Sequence, residues 1–223
     1  MNIYFIIILV MALSWVIQFT LKHKFSKYSR VASPNGLTGA DISRRMLAAN
    51  GIHDVEVACI PGQLTDHYDP TKKLINLSES VYGEASIAAI AVAAHETGHA
   101  IQHATGYAPL KFRSAMVPVV SFASNTVQWV LLAGILLVAF TPALLWLGIA
   151  MFALTTLFSF LTLPVEINAS RRAVQWLDES RYVNYETRPM AADALRWAAY
   201  TYVIAAIGSL ATLLYYISIA DRR

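Results

Sequence analysis

Apolar and polar residues separate into long blocks along this chain. Residues 3–21 form a nearly uncharged apolar stretch, long enough to cross a bilayer as a helix. Residues 117–140 and 143–163 are two further uncharged stretches, divided by the short turn Thr141-Pro142. A soluble helical hairpin is the alternative for this pair, but two such segments are hard to house in a domain this small. Residues 197–220 make a fourth stretch. Trp197, Tyr200 and Tyr202 stand at one end of it and Tyr215 and Tyr216 near the other, as aromatic belts at a membrane interface do. The pattern predicts a mainly α, integral membrane protein with about four transmembrane helices.

Two blocks of mixed composition lie between the spans, 22–114 and 164–196. In the first, Thr38-Gly-Ala-Asp41 predicts a capped helix start, with Ile42, Met46 and Leu47 facing inward and a stop at Asn50-Gly51. The β-rich alternation of Val55–Ile60 predicts a strand. Gln63–Tyr68 and Lys73–Leu77 flank the turn dipeptide Asp69-Pro70 and predict a hairpin, and so an α+β region. In the second block, Pro164 is expected to close the third span. A helix over Val165–Leu177 follows, then a polar loop, then a helix capped by Thr187 with Pro189 in its first turn.

Composition sharpens the membrane reading. Apolar residues make up 57% and charged residues 14%, against roughly 45–50% and 25% in average soluble domains. The net charge of +3 sits mostly beside apolar segments, which speaks for membrane topology and against nucleic-acid binding. Of the 17 Lys and Arg, 10 lie in 22–114, 5 in 164–196, and Arg222 and Arg223 fall on the other side. The positive-inside rule therefore puts both mixed blocks in the cytoplasm. In residues 3–21 the positive charge follows the apolar core and no small-residue cleavage site is evident, so an uncleaved anchor is expected. The single cysteine, Cys59, forms no internal disulfide and is expected to be a small buried core thiol.

The chemistry concentrates in His95-Glu96-Thr97-Gly98-His99. The Ala-rich run from Ser86 has no Pro, and no Gly before Gly98, and predicts a helix. On that helix His95 and His99 share a face, and Glu96 flanks it at roughly 100°. Two imidazoles with an open position suit a catalytic zinc, and the adjacent carboxylate is placed to take a proton from water. Two residues compete to be the third ligand. His103 would have to reach back about 6 Å along the helix, past His99. Glu166 opens the helix after the third span, on the membrane face to which the transmembrane hairpin returns the chain. A surface carboxylate favoured by the helix dipole is the alternative for Glu166.

The runs LTDHYDP (64–70), LSESVYGEASIAAIAVAAHETGHAIQH (77–103) and LPVEINASRRA (163–173) resemble, in order, the characteristic blocks of the YugP-type zinc membrane peptidases. In layout the chain also resembles membrane gluzincins of the HtpX and CAAX-prenyl protease type. The resemblance covers nearly the whole chain. It implies a cytoplasmic gluzincin-like region in the plasma membrane of a prokaryote, acting on peptide or membrane-protein substrates. It implies Zn2+ held by His95, His99 and Glu166, with Glu96 as general base and acid. Those gluzincins often carry an acid four residues after the glutamate ligand; Ser170 stands there, so Asn168 or an acid elsewhere is expected to orient the imidazole. His67, Tyr68, His103, Arg171 and Arg172 are candidate oxyanion donors. Two other readings are an intramembrane-cleaving metalloprotease and a zinc-holding membrane scaffold. Only eight apolar residues precede His95 in Ile87–Ala94, too few for a span, and a structural site would need no base such as Glu96.

Overall fold

The computed structural model describes residues 3–34 and 36–221. Arg222 and Arg223, the pair opposing the charge rule, lie outside them. In chain order the elements are α1 (Ile3–Tyr28), α2 (Gly39–Ala49), β1 (Glu56–Ile60), β2 (His67–Asp69), β3 (Leu74–Ser78), α3 (Glu79–Tyr82), α4 (Ile87–Ala104), α5 (Ala108–Leu136), α6 (Pro142–Glu179) and α7 (Arg188–Asp221). The protein is mainly helical, with one small sheet. The helices α1, α5, α6 and α7 are each long and apolar enough to cross a membrane.

One compact unit holds Ile17–Leu110 and Val165–Tyr200. Its sheet has the order β1-β3-β2, with β1 parallel and β2 antiparallel to the central β3. Ile75 and Leu77 of β3 are fully buried with Ile42 and Met46 of α2, Ile87 and Ile90 of α4, and Leu177 of α6. Helix α2 begins as its sequence predicts: the Thr38 hydroxyl accepts from the Asp41 amide while the Asp41 carboxylate accepts from Thr38. Helix α4 is buried nearly all round, as a helix apolar on every side must be. Its N-cap Ser86 accepts from the Ala89 amide at 3.2 Å.

A second unit holds the described residues of 1–16, 111–164 and 201–223. Small residues bring its helices close. A Cβ on Gly134 would stand 2.7 Å from the Leu145 Cα, and one on Gly148 would stand 2.8 Å from Leu131 Cδ2. The Thr156 and Ser209 hydroxyls hydrogen-bond at 2.7 Å between α6 and α7.

Four expectations need correction. Pro164 does not end a helix, because α6 runs through it for 38 residues. A long helix tolerates proline where neighbours satisfy the freed backbone groups. The expected strand from Gln63 is reduced to His67–Asp69, since Gly62 and Leu64 adopt positive φ and bend the preceding chain. The Thr187 hydroxyl turns back to donate to Asn184 Oδ1 at 2.9 Å instead of simply capping α7. Cys59 is exposed, because β1 is an edge strand with one face outward.

Candidate metal centre

Helix α4 and residues 165–179 of α6 build the site together. Gly98 makes their approach possible: a Cβ there would stand 2.9 Å from the Ala169 carbonyl oxygen. A missing side chain thus lies between the two histidines of HETGH, against the turn of α6 that follows Glu166. At this contact Glu166 Oε2 lies 3.4 Å from His95 Nε2 and 3.5 Å from His99 Nε2. One donor atom from each of the three residues falls within 4.8 Å of the others, a grouping able to hold a metal ion. Glu166 is 3% exposed and His99 8%. Carboxylates are almost never buried so deeply without a partner.

The outer nitrogens of both rings are engaged. His95 Nδ1 meets Ser170 Oγ at 3.0 Å. His99 Nδ1 meets Gln102 Oε1 at 3.1 Å. The Gln102 amide is held in one orientation, since its Nε2 donates to the Val165 carbonyl at 2.8 Å and to Asn168 Oδ1 at 3.0 Å. Its Oε1 must then accept, so a neutral His99 ring carries its proton on Nδ1 and leaves Nε2 as a lone pair. Two neutral imidazoles and one carboxylate, converging from two helices, fit zinc better than a hard cation.

The carboxylate and the rings also favour each other's charged forms, through a proton that a bound metal ion would displace. Burial pushes the Glu166 carboxyl up, but hydrogen bonds from His95 and His99 pull harder and hold it below the usual carboxylate range. Burial opposes charge on His99, yet the bond to Glu166 and the charges of Glu96 and Glu166 hold its pKa above the ordinary value. Glu96, next to His95 on α4, is itself buried.

The remaining candidates separate from the cluster. His103 bonds the Tyr68 hydroxyl through Nδ1 at 2.8 Å. Both line a cavity of about 250 Å3 with Ile52, Val55, Lys73 and Ala100. Burial raises the Tyr68 phenol above its usual pKa. His67 is held by the Thr65 carbonyl and Asn76. Arg172 donates to Asn168 Oδ1 at 2.8 Å, behind Gln102. Ser170 does the orienting that was expected of an acid or of Asn168, while Asn168 supports Gln102. Gln102 went unnoticed in the sequence, although its place three residues after His99 puts it on the same helix face.

Comparison with known proteins agrees with this geometry. A family model described as "Putative neutral zinc metallopeptidase" matches residues 3–221. The "Putative membrane protease YugP" of Bacillus subtilis (strain 168) is 44% identical over 215 residues, covering 96% of this chain and 95% of that protein. No solved structure matches.

Proposed function

Because the chain belongs to the neutral zinc metallopeptidase family, matched over residues 3–221, we propose that it is a membrane endopeptidase whose zinc is held by His95, His99 and Glu166. One observation carries the reading: three buried or half-buried donors meet within 4.8 Å, with both outer ring nitrogens already occupied. Zinc there would supply Lewis acidity toward a peptide carbonyl and acidify water.

The chain's own groups do the rest. Glu96 takes the proton of the attacking water and delivers it to the leaving amine. Gln102 and Ser170 hold the two rings so that each Nε2 faces inward. Strand β2 is an edge of the sheet and packs near α4. It offers free backbone groups to an extended peptide. The relative's name supports membrane-associated protein substrates. With 10 and 5 of the 17 basic residues in 22–114 and 164–196, the catalytic region faces the cytoplasm.

Glu96→Gln tests the assignment. It should abolish cleavage of unfolded membrane-protein substrates while the purified protein keeps its zinc. Retained cleavage removes Glu96 from the mechanism. Zinc bound by wild type with no cleavage across several substrates favours the scaffold reading.

A further inference from the structure

Helix α5 carries a feature that peptide hydrolysis does not use. Its buried positions Val120, Ala123, Val127 and Leu131 form one face. Ser114, Ser121 and Gln128 repeat at seven-residue intervals on another, with Asn125 beside them. By the helical period these four fall within about 60° of one another and about 130° from the buried face. All four are exposed. No side-chain hydrogen bond is found for Ser121, Asn125 or Gln128 among the described residues.

The argument rests on reading α5 as a membrane span. From Arg113 to Asn125 the helix rises about 18 Å, which takes Asn125 well into a hydrocarbon layer about 30 Å thick. Exposed side chains at mid-span of α6 and α7, such as Leu147 and Leu157 of α6 and Ile207 and Leu214 of α7, are apolar, as lipid contact requires, while α1 exposes one carboxamide, Gln18. A carboxamide facing lipid is costly until another helix hydrogen-bonds it.

We propose that this stripe is the seam of a homodimer, covered by the same face of α5 from a second copy of the chain. Its chemistry is self-complementary. Each carboxamide both donates and accepts, and each hydroxyl does the same, so like residues satisfy each other across a twofold axis. The seven-residue repeat is that of a two-helix seam. Substrate helices differ from one another, whereas a second copy presents the same amides at the same depth every time.

The test uses the full chain in lipid vesicles and reads association, not cleavage, so its failure is distinct from failure of the peptidase reading. Wild type labelled at Cys59 should show energy transfer between copies that falls as lipid is added. Asn125→Leu with Gln128→Leu should weaken association on the order of 10-fold or more, while Phe122→Leu leaves it unchanged. Cys59→Ser with Ser121→Cys should give a disulfide-linked dimer on mild oxidation. Helix content equal to wild type by circular dichroism shows that the leucine variant is folded. A monomer at every lipid ratio, or a leucine variant that associates like wild type, overturns the proposal. So does capture of the Ser121→Cys variant in cells only by a different membrane polypeptide.

Discussion

Gly98 faces Ala169 so closely that a Cβ on the glycine would stand 2.9 Å from the Ala169 carbonyl oxygen. Backbone cannot step aside as a flexible side chain can, so Gly98→Ala must push α6 away from α4. Overpacking of this kind costs about 1–3 kcal/mol, and the displacement carries Glu166 off both histidines. Gly98→Ala should lower the thermal midpoint and leave the purified protein short of zinc by elemental analysis. Full zinc content with unchanged stability would show that the contact does not set the distance between the helices.

Gln102 is fully buried and joins His99 to the backbone of α6. Gln102→Leu keeps the bulk but removes the acceptor for His99 and the donor for Val165. Losing such outer partners of a metal ligand costs roughly 10–100-fold in affinity. Chelator competition should show zinc held that much more weakly, with helix content near wild type by circular dichroism.

Ser170 replaces the acid expected four residues after Glu166, and it accepts from His95 at Nδ1 when Nε2 turns inward. Ser170→Ala should weaken zinc binding on the order of 10-fold. Ser170→Asp keeps an acceptor and should bind zinc at least as well as wild type. Equal affinities for wild type and both variants would remove this hydroxyl from the argument.

The Thr38–Asp41 capping box gives a pH-dependent prediction away from the metal centre. Bonds from the Thr38 hydroxyl and amide hold the Asp41 pKa below its ordinary 3.8. The unfolded chain therefore binds the proton more readily, and the stabilisation is fully present above the unfolded pKa. It is lost as pH falls through the lower folded value. In denaturant titrations Asp41→Asn should cost stability at neutral pH, and the cost should shrink as pH falls below 3.8 through the lower folded value. Thr38→Ala should cost about 1 kcal/mol in the same measurement.

Local signals were legible where they were strong. HETGH in an Ala-rich run, the Thr38 box and the Asp69-Pro70 turn depend on residues within a few positions of one another, and each stands where the sequence puts it. Glu166 was found because the uncharged hairpin suggested a return to one membrane face. The parallel pairing of β1 with β3 was not legible, since no local residue specifies it. Pro164 misled because proline ends most water-exposed helices, and an isolated segment does not show what satisfies its neighbours. Cys59 misled because an apolar run hides which strand of a sheet is the edge. Gln102 lay in plain view but announces nothing by residue type, and its role depends on a carbonyl 63 positions away.

The hydrogen-bond chain behind His99 runs through Gln102 to Asn168, which also receives the Arg172 guanidinium. None of its links is a carboxylate, and an amide neither gives up nor stores a proton near neutral pH. The chain is therefore an insulator: it fixes the ring and conducts nothing. Ser170 closes the other imidazole with an equally inert hydroxyl. In the proposed reaction these partners hold the two rings in place and take no proton themselves, so proton transfer between water and the leaving amine falls to Glu96, a division of labour that an acid-backed ring would blur.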